Sequence, residues 1–145
     1  MWRAIVLLLL TSCAPRDASV RAGDLEIHGA FAFAPPTPSE AAAYFTVVNY
    51  GTVADTLVDI SSPIARSGML HQQVPDGGRV HMEPVAVPVI PAGDSLVMAP
   101  GGTHLMLVNL ESLPQAGSSI VVRLRFARAG DVTINVPVRS YSDAP

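Results

Sequence analysis

Four side chains that can bind a soft metal ion stand in one short region of the chain. His71, Met82, His104 and Met106 are separated by ten, twenty-one and one residues. A thioether is a poor ligand for hard cations but a good one for Cu(I), and imidazole also suits copper. The residue types therefore predict a site for monovalent copper before any fold is considered.

The first two of these residues flank a turn. Residues 75–78 read Pro-Asp-Gly-Gly, a strong turn signal between two strand-like segments. A hairpin centred directly after Asp76 would place His71 opposite Met82, with Cβ atoms roughly 4.5–5.5 Å apart on one face of a sheet. His81 would then lie on the other face, because side chains alternate along a strand.

The last two candidate ligands lie on one predicted strand, residues 104–110. His104 and Met106 are two positions apart, so they project from the same face of that strand. Leu105 and Leu107 would face the core instead. This arrangement predicts that the ligands form a shallow, partly apolar patch at the protein surface.

Each of these residues taken alone has an ordinary structural explanation. A single methionine more often fills a gap in a core, and a single histidine more often lies at the surface or in a hydrogen bond. The joint spacing favours the metal site. Two further methionines need a role: Met69 shares the strand parity of His71 and is a candidate neighbour of the metal, whereas Met98 is expected to pack in the core or just outside the site.

The spacing H-x10-M-x21-H-x-M resembles the motif of the periplasmic copper chaperones called PCuA(C). The surrounding segments SSPIARSGMLH, VPDGGRVHMEPV and APGGTHLMLVNL are similar too, and the likeness runs from about Leu25 to Arg139. The chain departs from the family pattern just after His71, where two glutamines stand and a methionine is often found. Met69 is a candidate substitute. No tail rich in Met and His follows Arg139, so the additional Cu(II) site of some relatives is not expected.

This resemblance implies both a fold and a function. The implied fold is a cupredoxin-like Greek-key β-sandwich, and the implied cargo is one Cu(I) in a His2Met2 site formed by His71, Met82, His104 and Met106. The copper would be delivered to a recipient cuproprotein such as the CuA subunit of cytochrome c oxidase, during assembly of that oxidase. A Sco-type chaperone is a second candidate partner.

Residue patterning by itself also predicts an all-β, antiparallel β-sandwich. Apolar residues alternate with polar ones over residues 120–126 and 132–139, which is typical of strands with one buried face. Short β-rich segments separated by Gly and Pro fill the rest of the chain from residue 25, and residues 39–44 would form at most one helical turn. One domain over residues 24–145, acting as a monomer, is expected.

The N-terminal segment predicts export and lipidation. Residues 1–12 have the pattern of a signal peptide and are too short to span a bilayer. Residues 10–13, Leu-Thr-Ser-Cys, resemble a bacterial lipobox, so cleavage before Cys13 would leave a lipid-carrying N-terminus followed by a flexible tether to Gly23. The protein is then expected in the bacterial envelope, in the periplasm or on the outer face of a membrane. The alternative is an ordinary signal peptide that happens to contain one cysteine.

Composition narrows the class of function. Cys13 is the only cysteine, so the folded domain lacks the thiolate that a blue-copper electron carrier requires. A formal charge of −3 and the absence of lysine argue against nucleic acid as a partner. No pattern of catalytic side chains stands out, so an enzyme is not expected. The remaining alternatives are a metal-free interaction module of the envelope and a copper storage or resistance protein.

Replacing Cys13 by serine tests the predicted anchor. The variant should be released into the soluble fraction or stall in processing, because stable membrane attachment needs more than one acyl chain and serine cannot take the thioether-linked lipid. Membrane fractionation with measurement of the apparent mass gives the answer. Unchanged membrane association together with unchanged mass would contradict the prediction.

Overall fold

Alternation of apolar and polar residues gives this chain its strands. The computed structural model describes residues 18–86 and 88–144, and within them lie eleven strands and one short 3-10 helix. The strands are β1 Val20–Ala22, β2 Leu25–Phe33, β3 Glu40–Asn49, β4 Asp55–Ser61, β5 Ala65–Asp76, β6 Arg79–Pro84, β7 Val89–Ile90, β8 Ser95–Val97, β9 Thr103–Leu110, β10 Ser119–Phe126 and β11 Gly130–Arg139; the 3-10 helix is Tyr141–Asp143. In this part of the chain, no helix has the length and apolar character needed to cross a membrane.

Nine of these strands follow one hydrogen-bonded path, which folds over on itself as a sandwich. The order is β6-β5-β9-β3-β2-β11-β10-β4-β7, while β1 pairs with β2 and β8 with β3. Although β5 and β4 stand near opposite ends of this path, Gly68 of β5 packs directly against Ile60 of β4. A single apolar core then fills the space between the layers; its most buried large side chains are Leu25, Ile27, Phe45, Ile90, Leu105, Leu107, Ile120, Leu124 and Phe126. The predicted all-β sandwich is confirmed.

Residues 39–44, for which at most one helical turn was expected, form none, because β3 begins at Glu40 and pairs there with β9. Two other predictions are wrong in detail. The predicted tether ends earlier than Gly23, since β1 pairs with β2 and Arg21 forms an ion pair with Glu26. One strand pair, β11 with β2, is parallel rather than antiparallel, which is allowed because no hairpin joins these two strands. Residues 1–12, Cys13 and the tether to residue 17 lie outside the described residues.

The β5–β6 hairpin has a register different from the predicted one. Asp76 pairs with Arg79, so Gly77 and Gly78 form the two-residue turn, and His71 lies opposite Pro84. Both glycines have positive φ, at 53° and 87°, as the two central positions of a type I′ turn require. Aspartate adopts that conformation less readily than glycine, so the turn is centred one residue later than predicted. Paired residues therefore move by two positions, and every side chain keeps its predicted face.

Substitution of Gly68 tests how closely β5 packs on β4. A Cβ atom at this position would lie 2.8 Å from Ile60 Cγ2 and 3.1 Å from the Ile60 carbonyl oxygen. We expect Gly68→Ala to lower the free energy of unfolding by about 1–3 kcal/mol, as overpacking typically does. Urea denaturation measures the change.

The matched control is Gly102→Ala, where the nearest atom would be 3.6 Å from the added Cβ. Its free energy of unfolding should stay within about 0.5 kcal/mol of the native protein. Equal stability of the Gly68 variant and this control would show that the two layers are not in close contact at β5.

Candidate metal centre

The site is built on the antiparallel pair β5 and β9. In this pairing His71 lies directly opposite His104, and Met69 lies directly opposite Met106. All four side chains are on the face of these strands that points away from the core, because the alternating residues Leu70 and Leu105 pair with each other inside it. Two histidines and two methionines thus occupy adjacent rows on one face.

The predicted shallow surface patch is wrong for the β9 residues. His104 is 2% exposed and Met106 is 7% exposed, although neither belongs to the central core. Tyr44 lies on the neighbouring strand β3, with its ring centroid 6.4 Å from that of His104. Met106 lines a cleft of about 240 Å³ together with Phe33, Pro35, Pro36, Tyr44 and Tyr141. The site therefore has a buried base, which β9 alternation alone could not reveal.

The two imidazole rings are positioned to share a metal ion. Their centroids are 6.0 Å apart and the ring planes are nearly perpendicular, at 86°. Nδ1 of His104 lies 3.1 Å from the carbonyl oxygen of Gly102; since a carbonyl only accepts, this nitrogen carries the proton and Nε2 keeps its lone pair.

Two ring nitrogens in this pair are buried without a hydrogen-bond partner. Among the described residues, His71 Nδ1 and His104 Nε2 are the buried side-chain atoms in this condition. An unsatisfied buried polar atom is costly, and in a native protein it often marks a missing ion or water. One nitrogen from each of two facing rings, next to a buried thioether, matches the donors that a soft monovalent cation prefers.

Met82 lies farther out than the sequence predicts. It pairs with Gln73, one row beyond His71 toward the hairpin turn, and is 47% exposed. Every residue of β6 is exposed, and the pairing of β5 with β9 ends at Gln72, so Met82 is carried on a two-stranded arm that projects past the β9 pairing. Its position relative to His71 is diagonal rather than directly opposite.

His81 lies on the face of the hairpin away from these candidate ligands, as predicted. It pairs with Val74, and its Nε2 lies 2.8 Å from a carboxylate oxygen of Glu83 on the same face. Met98 is buried in the core at 3% exposure, which agrees with its predicted packing role. Neither residue faces the two facing imidazoles.

The surroundings of the site are mainly apolar and aromatic, and the cleft at Met106 also includes one carboxylate residue, Glu40. Burial, with a smaller contribution from Tyr141, raises the pKa of Tyr44, so its phenol stays protonated beside His104. Within residues 18–86 and 88–144, no group of three or more His, Cys, Asp or Glu side chains is placed to hold a metal. We therefore expect this site to bind hard cations weakly, because they prefer oxygen ligands.

Sequence reasoning missed Tyr44 and Gly102 as parts of the site. Gly102 sets the tautomer of His104, and the ring of Tyr44 lies beside it. The Pro-Gly-Gly turn before His104 was a usable signal for Gly102. Nothing local identifies Tyr44, because it reaches His104 through the long-range pairing of β3 with β9.

Comparison with known proteins identifies the family. Residues 16–138 match the family described as "Putative lipoprotein LpqE-like". The chain belongs to this family. A relative named "Putative lipoprotein Lxx21020", from Leifsonia xyli subsp. xyli, is 34% identical over 148 residues, covering 97% of this chain and 89% of its own length.

Solved structures of PCuAC domains have the same fold. The structure described as "Copper-bound PCuAC domain from PmoF2" is 27% identical, with a TM-score of 0.73 over 85% of this chain and 98% of that one. The Cu(I) form of DR1885 from Deinococcus radiodurans is 29% identical, with a TM-score of 0.63 over 78% of this chain and 76% of that one. The predicted resemblance to PCuA(C) copper chaperones and the cupredoxin-like fold are confirmed.

Replacing His71 by leucine tests whether the buried nitrogens have a structural role. Its Nδ1 makes no hydrogen bond among the described residues, so an apolar side chain removes an unsatisfied group and leaves no new one behind. We expect the metal-free variant to be as stable as the native chain within about 1 kcal/mol, or more stable. Urea denaturation in the presence of a metal chelator measures this.

Leu70→Ala is the control on the opposite face of the same strand. Leu70 is 3% exposed in the core, and its truncation should cost about 2–5 kcal/mol. A loss of similar size in His71→Leu would mean that the histidine holds the fold together, contrary to its assignment as a ligand.

Proposed function

We propose that this protein is a copper chaperone of the bacterial envelope that binds one Cu(I) and passes it to a recipient protein. The observation that carries the proposal is the pair of buried imidazole nitrogens, His71 Nδ1 and His104 Nε2, that lack partners on two adjacent strands. The buried thioether of Met106 lies on the same face. This set supports a soft monovalent cation, and solved relatives carry copper.

The donor chemistry favours Cu(I) over Zn(II) and Cu(II). Thioether sulfur is neutral and polarisable, and it stabilises Cu(I) more than it does harder ions. Thiolates would bind Cu(I) too, but in an oxidising compartment they are lost to disulfides and sulfenic acids. Histidine and methionine ligands avoid that loss, and they agree with a chain whose only cysteine is Cys13.

The proposed ligand set is His71, Met82, His104 and Met106. His104 and Met106 form the buried base, and His71 lies beside them on β5. Met82 would join them from the projecting β5–β6 arm, whose exposure makes it accessible to another protein. A base that retains the ion and an exposed ligand that can be exchanged together suit transfer rather than permanent storage.

Family membership supports an envelope location and a lipoprotein. We propose that Cys13 is the lipidated residue, with residues 13–17 as the described domain's link to the membrane. A recipient near the same membrane would then meet the copper site at high local concentration. The CuA subunit of cytochrome c oxidase is the proposed recipient, with a Sco-type chaperone as a second candidate partner.

The unpartnered nitrogens also weigh against a metal-free interaction module. A surface that only binds another protein would gain nothing from two buried polar atoms without hydrogen bonds, and replacing them by apolar groups would cost it little. A functional ligand explains why they are kept at these positions.

Titration with Cu(I) against a competing chelator tests the proposal. The titration uses the full-length chain with Cys13→Ser, because this substitution removes the one competing thiol. The variant should take up one Cu(I) without the visible absorption of a blue-copper site. Zinc at equal concentration should not displace the copper. Failure to bind Cu(I), or displacement by zinc, would overturn the proposal.

Two substitutions on β6 test the ligand assignment. Met82→Ala should weaken Cu(I) binding clearly, because it removes a thioether on the ligand face. His81→Ala should leave the affinity nearly unchanged, since this side chain lies on the other face beside Glu83. If His81→Ala is the more damaging change in the same titration, the ligand face of the hairpin has been assigned wrongly.

A further inference from the structure

Met69 is a thioether that the spacing motif leaves out, yet the strand pairing places it inside the site. It lies directly opposite Met106 and two positions before His71, on the same face of β5. The adjacent row contains His71 opposite His104. These four side chains therefore mark the corners of one small rectangle on the sheet.

The dimensions of a regular sheet show which methionine is nearer to the buried base. Directly opposed residues have Cβ atoms roughly 4.5–5.5 Å apart, and successive residues on one face are about 6.7 Å apart. Met69 is directly opposite Met106 on the adjacent strand, so their Cβ atoms are separated by this short cross-strand distance. Met82 is two strands and four residues away from Met106, or about 16 Å in a regular sheet. One ion cannot bridge that separation while the hairpin stays flat.

Packing does not explain Met69. Its neighbours Gly68 and Leu70 face the core, whereas Met69 is 37% exposed and lies outside the core cluster. By comparison, Met98 is 3% exposed and is packed among core side chains. The thioether of this exposed, flexible side chain next to His71 is available to bind a metal ion.

We propose that Met69 is a copper ligand that completes the site with His71, His104 and Met106, and that it exchanges with Met82 when the β5–β6 arm bends toward His71. This inference rests on the proposed function. Met82 is then the thioether through which copper enters or leaves, and Met69 holds the ion in the flat arrangement of the hairpin.

The exchange is a substitution of ligands without redox change. A bond from Cu(I) to the Met82 sulfur forms as the bond to the Met69 sulfur breaks, and the ion stays monovalent. Thioethers bear no titratable proton, so no proton is taken up or released. The ion remains bound to His71, His104 and Met106 throughout, which keeps it from being lost to water before a partner arrives.

Substitution by leucine tests this proposal, because leucine keeps the volume and removes the sulfur. Met69→Leu and Met82→Leu are compared with Met98→Leu, the core control, all in the full-length Cys13→Ser chain. Chelator competition gives the Cu(I) affinity, and X-ray absorption gives the number of sulfur neighbours. Met69→Leu should weaken binding at least about tenfold, as removal of metal-site groups commonly does, and should lower the sulfur count by one. Met82→Leu should weaken binding less than Met69→Leu and leave the sulfur count unchanged, because Met82 replaces Met69 only when the arm bends; the reverse order of the two variants would overturn the proposed exchange.

Methyl signals of the methionines supply a second measurement. The methionine ε-methyl groups are labelled with ¹³C and observed by NMR, and each leucine variant assigns the signal that it lacks. Adding Cu(I) should shift the Met69 and Met106 signals and leave the Met98 signal in place. If Met69→Leu has native affinity and sulfur count, and the Met69 methyl does not respond to copper, Met69 is no ligand. That result leaves the proposed function standing, whereas a parent chain that takes up no Cu(I) overturns the function and this inference together.

Discussion

The antiparallel pairing of β5 with β9 is the constraint on which the rest of the site depends. It places His71 against His104 and Met69 against Met106, and it fixes all four side chains on the face opposite the core. The same pairing locks Leu70 against Leu105 inside the sandwich. A slip of one residue would turn the ligands inward and the leucines outward, so burial of the apolar face enforces the geometry of the polar one.

The two sides of the site differ in burial: the β9 residues are buried, whereas the methionines of β5 and β6 are exposed. His104 and Met106 are buried, His104 beside the ring of Tyr44 and Met106 in the cleft that Tyr44 and the neighbouring prolines also line. Met69 and Met82 remain accessible at 37% and 47% exposure. A buried base with exposed thioethers beside it can retain a soft cation and still present it to a partner.

The two unpartnered imidazoles of the site are a cost to the metal-free chain, so the stability of the fold must come from elsewhere. The core beneath β5 and β9 offsets this cost with tightly packed apolar side chains. The contact of Gly68 with Ile60 belongs to this support, because it holds β5 against β4 directly behind Met69. Function and stability are thus assigned to opposite faces of the same two strands.

Local rules in the sequence determined the ligand types, the all-β fold and the face on which each side chain lies. Alternation has a period of two, so the faces of His71, His81 and Met82 survived a hairpin register two residues from the predicted one. Only the tertiary structure decided that Met69 faces Met106, that Met82 stands on a projecting arm, and that Tyr44 lies beside the buried His104. These contacts join residues distant in the chain, and cross-strand pairing between distant segments is set by packing of the whole core rather than by local patterning.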